Sequence, residues 1–211
     1  MNEYEYLTML TERYPVLKET EDAVRDVYEI LKEAYEAGGK LLIAGNGGSC
    51  ADAEHIVGEL MTGFVKKREV TEELAEKLRR LDENMGAELA EKLQQGLPAI
   101  ALTGHPGLTT AFMNDVDGSL SFAQQVLGYG RAGDVFFGIS TSGNSQNVLY
   151  AAVTAKALGM KVVGLLGRDG GRLLPLCDRA IVVPERETYR IQELHLPVYH
   201  ALCLMLEEHF F

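Results

Sequence analysis

A repeated order of segments constrains the fold of this 211-residue chain more than any other feature. A short apolar run is followed by a turn of small polar residues and then by a segment with helical spacing. Lys40–Ala44 (KLLIA) and Val135–Ile139 (VFFGI) both begin such a unit. Continuous apolar runs of this length are typical of strands that are buried on both faces of a parallel sheet. Further strands are predicted at 99–103, 161–166 and 180–183. Alternation of strands and helices with short connections predicts an α/β fold, with a mostly parallel sheet between two layers of helices.

The remaining segments are predicted to be helical. Helical spacing of apolar residues extends over residues 1–37, with an interruption at Pro15, and a helix is expected from the first glycine-rich turn to about Thr62. Two more are expected over about 145–158 and 189–209. Residues 66–95 contain seven basic and eight acidic side chains among sparse apolar positions, which predicts one or two amphipathic helices. A solvated helical insertion is the favoured interpretation of this segment, and a hairpin that binds a partner is the alternative.

Composition places the chain among soluble globular proteins and predicts one domain over residues 1–211. Hydrophobic residues make up 46% and charged residues 24% of the chain, and no apolar stretch approaches the length that spans a bilayer. A net charge of −11 argues against a nucleic-acid-binding surface. Acidic residues near the N-terminus and three scattered cysteines favour a reduced, cytoplasmic location without membrane attachment.

The first predicted turn, Gly45-Asn46-Gly47-Gly48-Ser49, follows a buried strand and opens a helix. Glycines allow the backbone to approach a ligand closely, and the first amide groups of a helix attract anions. The spacing is that of neither a Walker loop nor a dinucleotide-binding fingerprint. A ligand-binding turn is therefore one interpretation, and a simple tight turn with Ser49 as helix cap is the other.

The second turn, Ser140-Thr141-Ser142-Gly143-Asn144-Ser145, has the same position after a strand. Four hydroxyl groups next to a helix N-terminus favour a phosphate site that needs no Lys or Arg, because oriented dipoles supply the positive field. A helix cap would require only one hydroxyl. Since strands of an open parallel sheet bind ligands at their carboxyl ends, both turns are expected at the same edge.

Two helices carry further polar residues with possible chemistry. His55 and Glu59 are four residues apart and share a helix face, so they could bind a divalent metal, act as an acid–base pair, or form an ordinary surface pair. The otherwise apolar last helix contains Gln192, His195 and His200. Helical spacing places each histidine within about 80° of Gln192 on opposite sides, so it does not choose between them.

Taken together, these motifs make the chain resemble the sugar isomerase (SIS) domain family, and within it the phosphoheptose isomerases. The matching residues are GNGGS at 45–49, Asp52, His55, Glu59, Asn114, Asp115, STSGNS at 140–145, RDGG at 168–171, and RIQELH at 190–195 with His200. The resemblance covers about residues 40–65 and 97–209. It implies the three-layer SIS fold, with N-terminal helices and a helical insertion at about 66–95.

The resemblance also implies an activity and the residues that perform it. The expected reaction is the isomerisation of sedoheptulose 7-phosphate to D-glycero-D-manno-heptose 7-phosphate through an enediol, with Glu59 as base and His200 as acid. The implied phosphate contacts are Ser140, Thr141, Ser142 and Ser145. The other implied substrate contacts are Asn46, Gly47, Gly48, Ser49, Glu59, Asn114, Asp115 and Gln192.

Zinc and a homotetramer are further implications of the resemblance. The metal positions of zinc-bound members correspond to His55, Glu59, Gln192 and His200, with one zinc per subunit in a catalytic or a structural role. Two features depart from the family: the long 66–95 segment, and Tyr189 where members carry an Asp three residues before the glutamine. One alternative is a non-catalytic SIS-domain protein that binds a sugar phosphate as a regulatory signal or binds a protein partner. The other is an enzyme that acts on a different phosphosugar.

Overall fold

The computed structural model describes residues 2–211, and its centre is a sheet of five parallel strands. The strands are β1 (Leu41–Ala44), β2 (Ala99–Ala101), β3 (Val135–Ser140), β4 (Lys161–Leu166) and β5 (Arg179–Val182). They lie in the order β2-β1-β3-β4-β5, and every neighbouring pair is parallel. The predicted α/β class and the parallel sheet are confirmed, and strand ends differ from the prediction by at most two residues.

Nine helices are described in residues 2–211. They are α1 (Glu3–Arg13), α2 (Glu21–Glu36), α3 (Gly48–Met61), α4 (Glu72–Leu81), α5 (Glu83–Lys92), α6 (Pro106–Asp115), α7 (Ser121–Tyr129), α8 (Gln146–Ala157) and α9 (Thr188–Phe210). Short 3₁₀ turns occupy Pro15–Thr20, Gly118–Leu120 and Leu174–Leu176. The break at Pro15 separates α1 from α2 as expected, while Met1 of that predicted segment lies outside the described residues. Helices α6 and α7 lie in a region for which no helix was predicted.

Two cores cover the two faces of the sheet, because side chains of successive strand residues point to opposite sides. Leu41 and Ile43 of β1 face one core, which α1, α2, α3 and α9 complete. Leu42 and Ala44 face the other, to which α7 and α8 contribute. None of the helices described in residues 2–211 is long and apolar enough to cross a membrane.

The charged segment forms two antiparallel helices, α4 and α5, that pack mainly against each other. Their bases meet at an isolated antiparallel bridge between Glu69 and Gln94. Most apolar side chains of this segment are exposed, and Leu81 and Met85 at the tip are 85% and 62% exposed. The segment has too few neighbours in its own chain to bury these side chains.

Candidate active site

The two small-residue turns meet at the carboxyl edge of the sheet because β1 and β3 are direct neighbours. The amide of Asn46 in the first turn donates to Asn147 Oδ1 at 3.0 Å, and Asn147 Nδ2 donates to Asn46 Oδ1 at 2.8 Å. This reciprocal pair fixes one turn relative to the other. Asn147, in the first turn of α8, was not among the predicted residues, since nothing in its sequence position marks a partner 101 residues away.

The hydroxyl-rich turn is held in shape by its own side chains. Ser140 Oγ accepts the Gly143 amide and lies 3.1 Å from Ser145 Oγ, while Ser142 Oγ accepts the Asn144 amide. Ser145 precedes α8 but makes no side-chain capping bond to it. The simple cap interpretation therefore does not describe Ser145, and the positive end of α8 remains directed at the turn.

Gly143 must be glycine because the 168–171 loop packs directly against it. Its φ is +64°, and a Cβ there would lie 1.9 Å from the Gly170 carbonyl oxygen. This contact places Arg168 and Asp169 beside the turn. A polar cavity of about 440 Å³ is lined by Ser142, Asn144, Arg168, Asp169, Arg186 and Glu187.

Arg168 and Arg186 bring positive charge to this cavity that the sequence interpretation did not assign. Arg168 is held by the Arg186 carbonyl, to which its Nε donates at 3.1 Å, and has a positive φ of 55°. The RDGG segment at 168–171 indicates a sharp turn in the sequence. The contact of Arg168 with Arg186, however, is set by the fold and not by the local sequence. A larger cavity of about 740 Å³ between α1 and α9 is mostly apolar and includes none of the turn residues in its lining.

Helix α3 directs His55 and Glu59 to one side, as their spacing requires. His55 Nε2 lies 2.9 Å from Glu59 Oε1, and His55 Nδ1 lies 3.0 Å from the hydroxyl of Tyr199 on α9. That hydroxyl also donates to Asp52 Oδ1 at 3.3 Å. Burial raises the pKa of Asp52, and the Tyr199 hydrogen bond partly opposes the shift.

Helix α9 brings His200 to this site and places Gln192 at the start of α3. A Cβ at Gly48 would lie 2.4 Å from Gln192 Nε2, so the Gln192 amide lies directly over the start of α3. The His200 ring lies 5.0 Å from the His55 ring, nearly perpendicular to it. Burial, reinforced by His55, lowers the pKa of His200 and favours its neutral form.

His195 lies elsewhere, in the core. It is fully buried, and its Nε2 lies 3.1 Å from the Leu166 carbonyl oxygen. Burial lowers its pKa to about 4. Between the two histidines that spacing left open, only His200 is beside His55.

Asn114 and Asp115 are not brought to these groups. They lie at the exposed C-terminal end of α6, where Asn114 Nδ2 donates to Asp115 Oδ1 at 2.7 Å. Within residues 2–211, no hydrogen bond joins either side chain to the two turns, α3 or α9. Their predicted contact with substrate is therefore not explained by the arrangement within one chain.

The donor types around His55 fit zinc, which is bound by imidazole nitrogen and carboxylate oxygen. Among residues 2–211, His200 Nε2 is buried without a hydrogen-bond partner, so one potential ligand nitrogen is left unsatisfied. In the part of the chain that the structure describes, no three His, Cys, Asp or Glu side chains already surround one point. Metal binding therefore requires the His55–Glu59 hydrogen bond to be exchanged for ligation.

Comparison with known proteins shows consistent similarities. The family model described as "SIS domain" matches residues 5–95 and 83–167. The phosphoheptose isomerase of a Nitratiruptor species is 44% identical over 84% of this chain and 81% of its own length. That of Helicobacter pylori is 41% identical over 92% of this chain and 88% of its own. The solved structure of phosphoheptose isomerase GmhA from Neisseria gonorrhoeae has a TM-score of 0.73 at 33% identity, covering 95% of this chain and 96% of its own.

Proposed function

The chain belongs to the SIS domain family and, within it, to the phosphoheptose isomerases, and we propose that it converts sedoheptulose 7-phosphate to D-glycero-D-manno-heptose 7-phosphate. One observation carries the proposal for this site. The hydroxyl-rich turn after β3 is tied by the Asn46–Asn147 pair to the turn that opens α3, and α3 carries His55 and Glu59, with His200 beside His55. A sugar phosphate can therefore be held at its phosphate while its carbonyl end reaches groups that transfer protons.

The turn from Ser140 to Ser145 binds the phosphate in this proposal. Its hydroxyls and the N-terminal end of α8 offer hydrogen-bond donors and a positive field, and Arg168 adds a full charge beside it. The open space at Gly47 leaves room for the sugar chain, while the lack of a side chain at Gly48 lets the Gln192 amide approach. The phosphate thus fixes the position of the substrate relative to α3.

Glu59 is the base in this proposal. Its carboxylate takes a proton from C1 of the ketose, the C1–H electrons form the C1=C2 bond of the enediol, and the carbonyl oxygen on C2 takes a proton from an acid. Glu59 then returns its proton to C2 while the C1 hydroxyl gives up its own, which yields the aldose. All atoms are conserved, so no external oxidant or reductant is needed.

His200 supplies and recovers the proton on oxygen. Burial keeps its imidazole neutral near pH 7 by lowering its pKa, and a neutral imidazole can both donate to a developing oxyanion and accept from a hydroxyl. A single side chain can therefore serve both oxygen atoms during the proton shift.

One zinc per subunit, held by His55, Glu59, Gln192 and His200, is part of the proposal. When bound, zinc would supply a Lewis acid that stabilises negative charge on the enediolate oxygens. The unsatisfied Nε2 of His200 supports this assignment.

A cytoplasmic homotetramer is proposed as the working form. Met113 and Val116 around the end of α6 are 67% and 64% exposed, an unusual arrangement for apolar side chains that lie next to Asn114 and Asp115. Burial of this surface against another subunit would deliver Asn114 and Asp115 to the neighbour's site. The free cysteines are consistent with a reducing compartment.

The comparisons do not favour the non-catalytic alternative, since the relatives reported above are named isomerases. A different phosphosugar is an outcome of the substrate test, because Tyr189 stands where members of the family carry an Asp. The test is a panel of phosphorylated ketoses and aldoses assayed with Glu59→Gln, and with Glu33→Gln on the exposed side of α2 as control. We expect Glu59→Gln to abolish turnover while substrate still binds and the control to be unaffected. Full activity in Glu59→Gln, or no turnover of sedoheptulose 7-phosphate by the unaltered chain, would contradict the proposal.

A further inference from the structure

A chain of polar contacts at hydrogen-bond distance connects two residues without an assigned role to the proposed base. It runs from Asp52 to Tyr199, from Tyr199 to His55 and from His55 to Glu59, with distances of 3.3, 3.0 and 2.9 Å. Tyr199 is 1% exposed, and its ring also packs edge-on against the rings of His55 and His200. Because these rings support one another, the positions of the four polar groups are coupled.

The single hydroxyl proton of Tyr199 sets the direction of the chain. Asp52 Oδ1 accepts that proton, and it can do so whether or not the other carboxyl oxygen carries a proton. A phenol retains its proton at neutral pH, because its ordinary pKa is about 10. With its only hydrogen used, the hydroxyl oxygen can only accept from His55 Nδ1.

His55 Nδ1 must therefore carry a hydrogen. In a neutral imidazole the other nitrogen, Nε2, then has a lone pair. That lone pair faces Glu59 Oε1 at 2.9 Å, so a hydrogen bond forms at this contact when Glu59 carries a proton. Resting on the proposed function, we propose that Tyr199 and Asp52 are positioning residues that hold His55 as the Nδ1–H tautomer and direct its Nε2 at the base Glu59.

The tautomer matters for the reaction because Glu59 is a carboxylic acid after it takes the C1 proton. Nε2 then accepts a hydrogen bond from that acid at 2.9 Å and holds the proton in place until it returns to C2. In the opposite tautomer, Nε2–H would donate to the Glu59 carboxylate, stabilise its charge and weaken it as a base. The same Nδ1–H arrangement leaves Nε2 available as a metal ligand, as partners behind metal-binding histidines generally do.

The direct test is the tautomer of His55, read from nitrogen chemical shifts in two-bond ¹H–¹⁵N spectra of the full chain with ¹⁵N-labelled histidine. A metal on Nε2 would impose the same tautomer, so spectra are recorded after EDTA dialysis, at a pH at which the histidine rings are neutral. The His55→Gln variant assigns the signal. Hydrogen on Nδ1 supports the proposal, and hydrogen on Nε2 overturns it.

Two variants test whether Tyr199 and Asp52 set the tautomer of His55. Tyr199→Phe removes the acceptor for Nδ1–H, and Asp52→Leu frees the Tyr199 hydroxyl to donate to Nδ1, so both should move the hydrogen of His55 to Nε2. We expect kcat to fall about 10–100-fold in each, with KM changed less than about 3-fold, because substrate contacts remain. Tyr35→Phe is the matched control, since it removes a buried tyrosine hydroxyl that, within the described part of the chain, bonds only to the Pro98 carbonyl. It should leave the tautomer and kcat unchanged.

The proposal would be overturned if Tyr199→Phe and Asp52→Leu both left kcat and the His55 tautomer unchanged. It would also be overturned if the Tyr35→Phe control lost as much kcat as these two variants. Failure of the proposed function is recognised separately. If the unaltered chain turns over no sugar phosphate, the isomerase assignment is wrong, while the spectra still decide the tautomer of His55 because they require no substrate.

Discussion

Arg68 and Glu207 form an ion pair in which both side chains are completely buried, with Arg68 Nε 2.8 Å from Glu207 Oε1. The remaining guanidinium nitrogens donate to the carbonyl oxygens of Glu59 and Leu60 at the end of α3. Glu207 in turn accepts the backbone amides of residues 64–66. The pair thus joins the C-terminal end of α3 to α9, the two helices that supply the proposed proton-transfer groups.

Replacement of Arg68 should therefore be severe. Arg68→Met leaves the Glu207 carboxylate buried without its counter-ion and removes two partners from the end of α3, so we expect a loss of about 3–5 kcal/mol in the free energy of unfolding. Urea unfolding followed by circular dichroism measures it. Lys67→Met, which removes an exposed ion pair with Glu69, is the control and should cost less than about 1 kcal/mol. Equal losses in the two variants would contradict a special role of the buried pair.

His195 should make stability depend on pH. Its pKa is lowered to about 4 in the folded chain by burial, from about 6.5 in the unfolded chain. Above about pH 6.5 neither state is protonated at this site and the stability is fully present. As pH falls towards about 4 only the unfolded state gains the proton, so the free energy of unfolding drops by up to about 3 kcal/mol.

Urea midpoints between about pH 7.5 and pH 4 measure this dependence. His195→Gln cannot titrate and can still donate to the Leu166 carbonyl, so its stability should fall less steeply over the same range. His105→Gln, in the turn before α6, is the control and should follow the unaltered chain. A His195→Gln variant with the full pH dependence would show that other groups cause it.

Gly48 should tolerate no side chain. Gly48→Ala places a Cβ 2.4 Å from Gln192 Nε2 and must displace the Gln192 amide from the site. We expect kcat/KM to fall at least about 10-fold, since a misplacement of about 1 Å at a reacting centre can cost more than that. Gly58→Ala on the same helix has open space around it and should raise stability by roughly 0.5–1 kcal/mol without loss of activity. Full activity of Gly48→Ala would exclude Gln192 from substrate or metal contact.

The α4–α5 hairpin should be dispensable for folding of the subunit. Because Glu69 and Gln94 are bridged, residues 70–93 can be replaced by an Asn-Gly turn that matches antiparallel strand ends. We expect cooperative unfolding with a melting temperature within about 5 °C of the full chain. Light scattering on the same sample reports whether the exposed Leu81 and Met85 hold subunits together. Loss of cooperative unfolding would show that the hairpin stabilises its own subunit.

Zinc content should depend on the proposed ligands. Metal analysis of the purified chain is expected to give about one zinc per subunit, and His55→Gln and His200→Gln should each reduce it by at least about 10-fold at equal free zinc. His105→Gln lies outside the site and serves as control. Isothermal titration with zinc after EDTA dialysis gives the same comparison without relying on activity. Equal zinc content in all variants would place the metal elsewhere.

The sequence by itself determined the architecture and the position of the hydroxyl-rich turn. Uninterrupted apolar runs such as Val135–Ile139 report burial on both faces, and glycine- and serine-rich turns report where each strand ends, so both signals are local. The turn from Ser140 to Ser145 could therefore be located from its own residues. Helices α4 and α5 were also predicted, because the spacing of their apolar residues is a local signal. The exposure of those residues was not predicted.

Only the tertiary structure decided which distant side chains meet. Helical spacing left His195 and His200 equivalent, and the packing of α9 against both β4 and α3 separated them, with His195 against the Leu166 carbonyl and His200 beside His55. Tyr199 lies in an otherwise apolar helix, and nothing in the local sequence indicates that its hydroxyl lies between Asp52 and His55. Spacing along the chain fixes the face on which a side chain lies, but its partner is set by contacts between elements far apart in sequence, which no local pattern encodes.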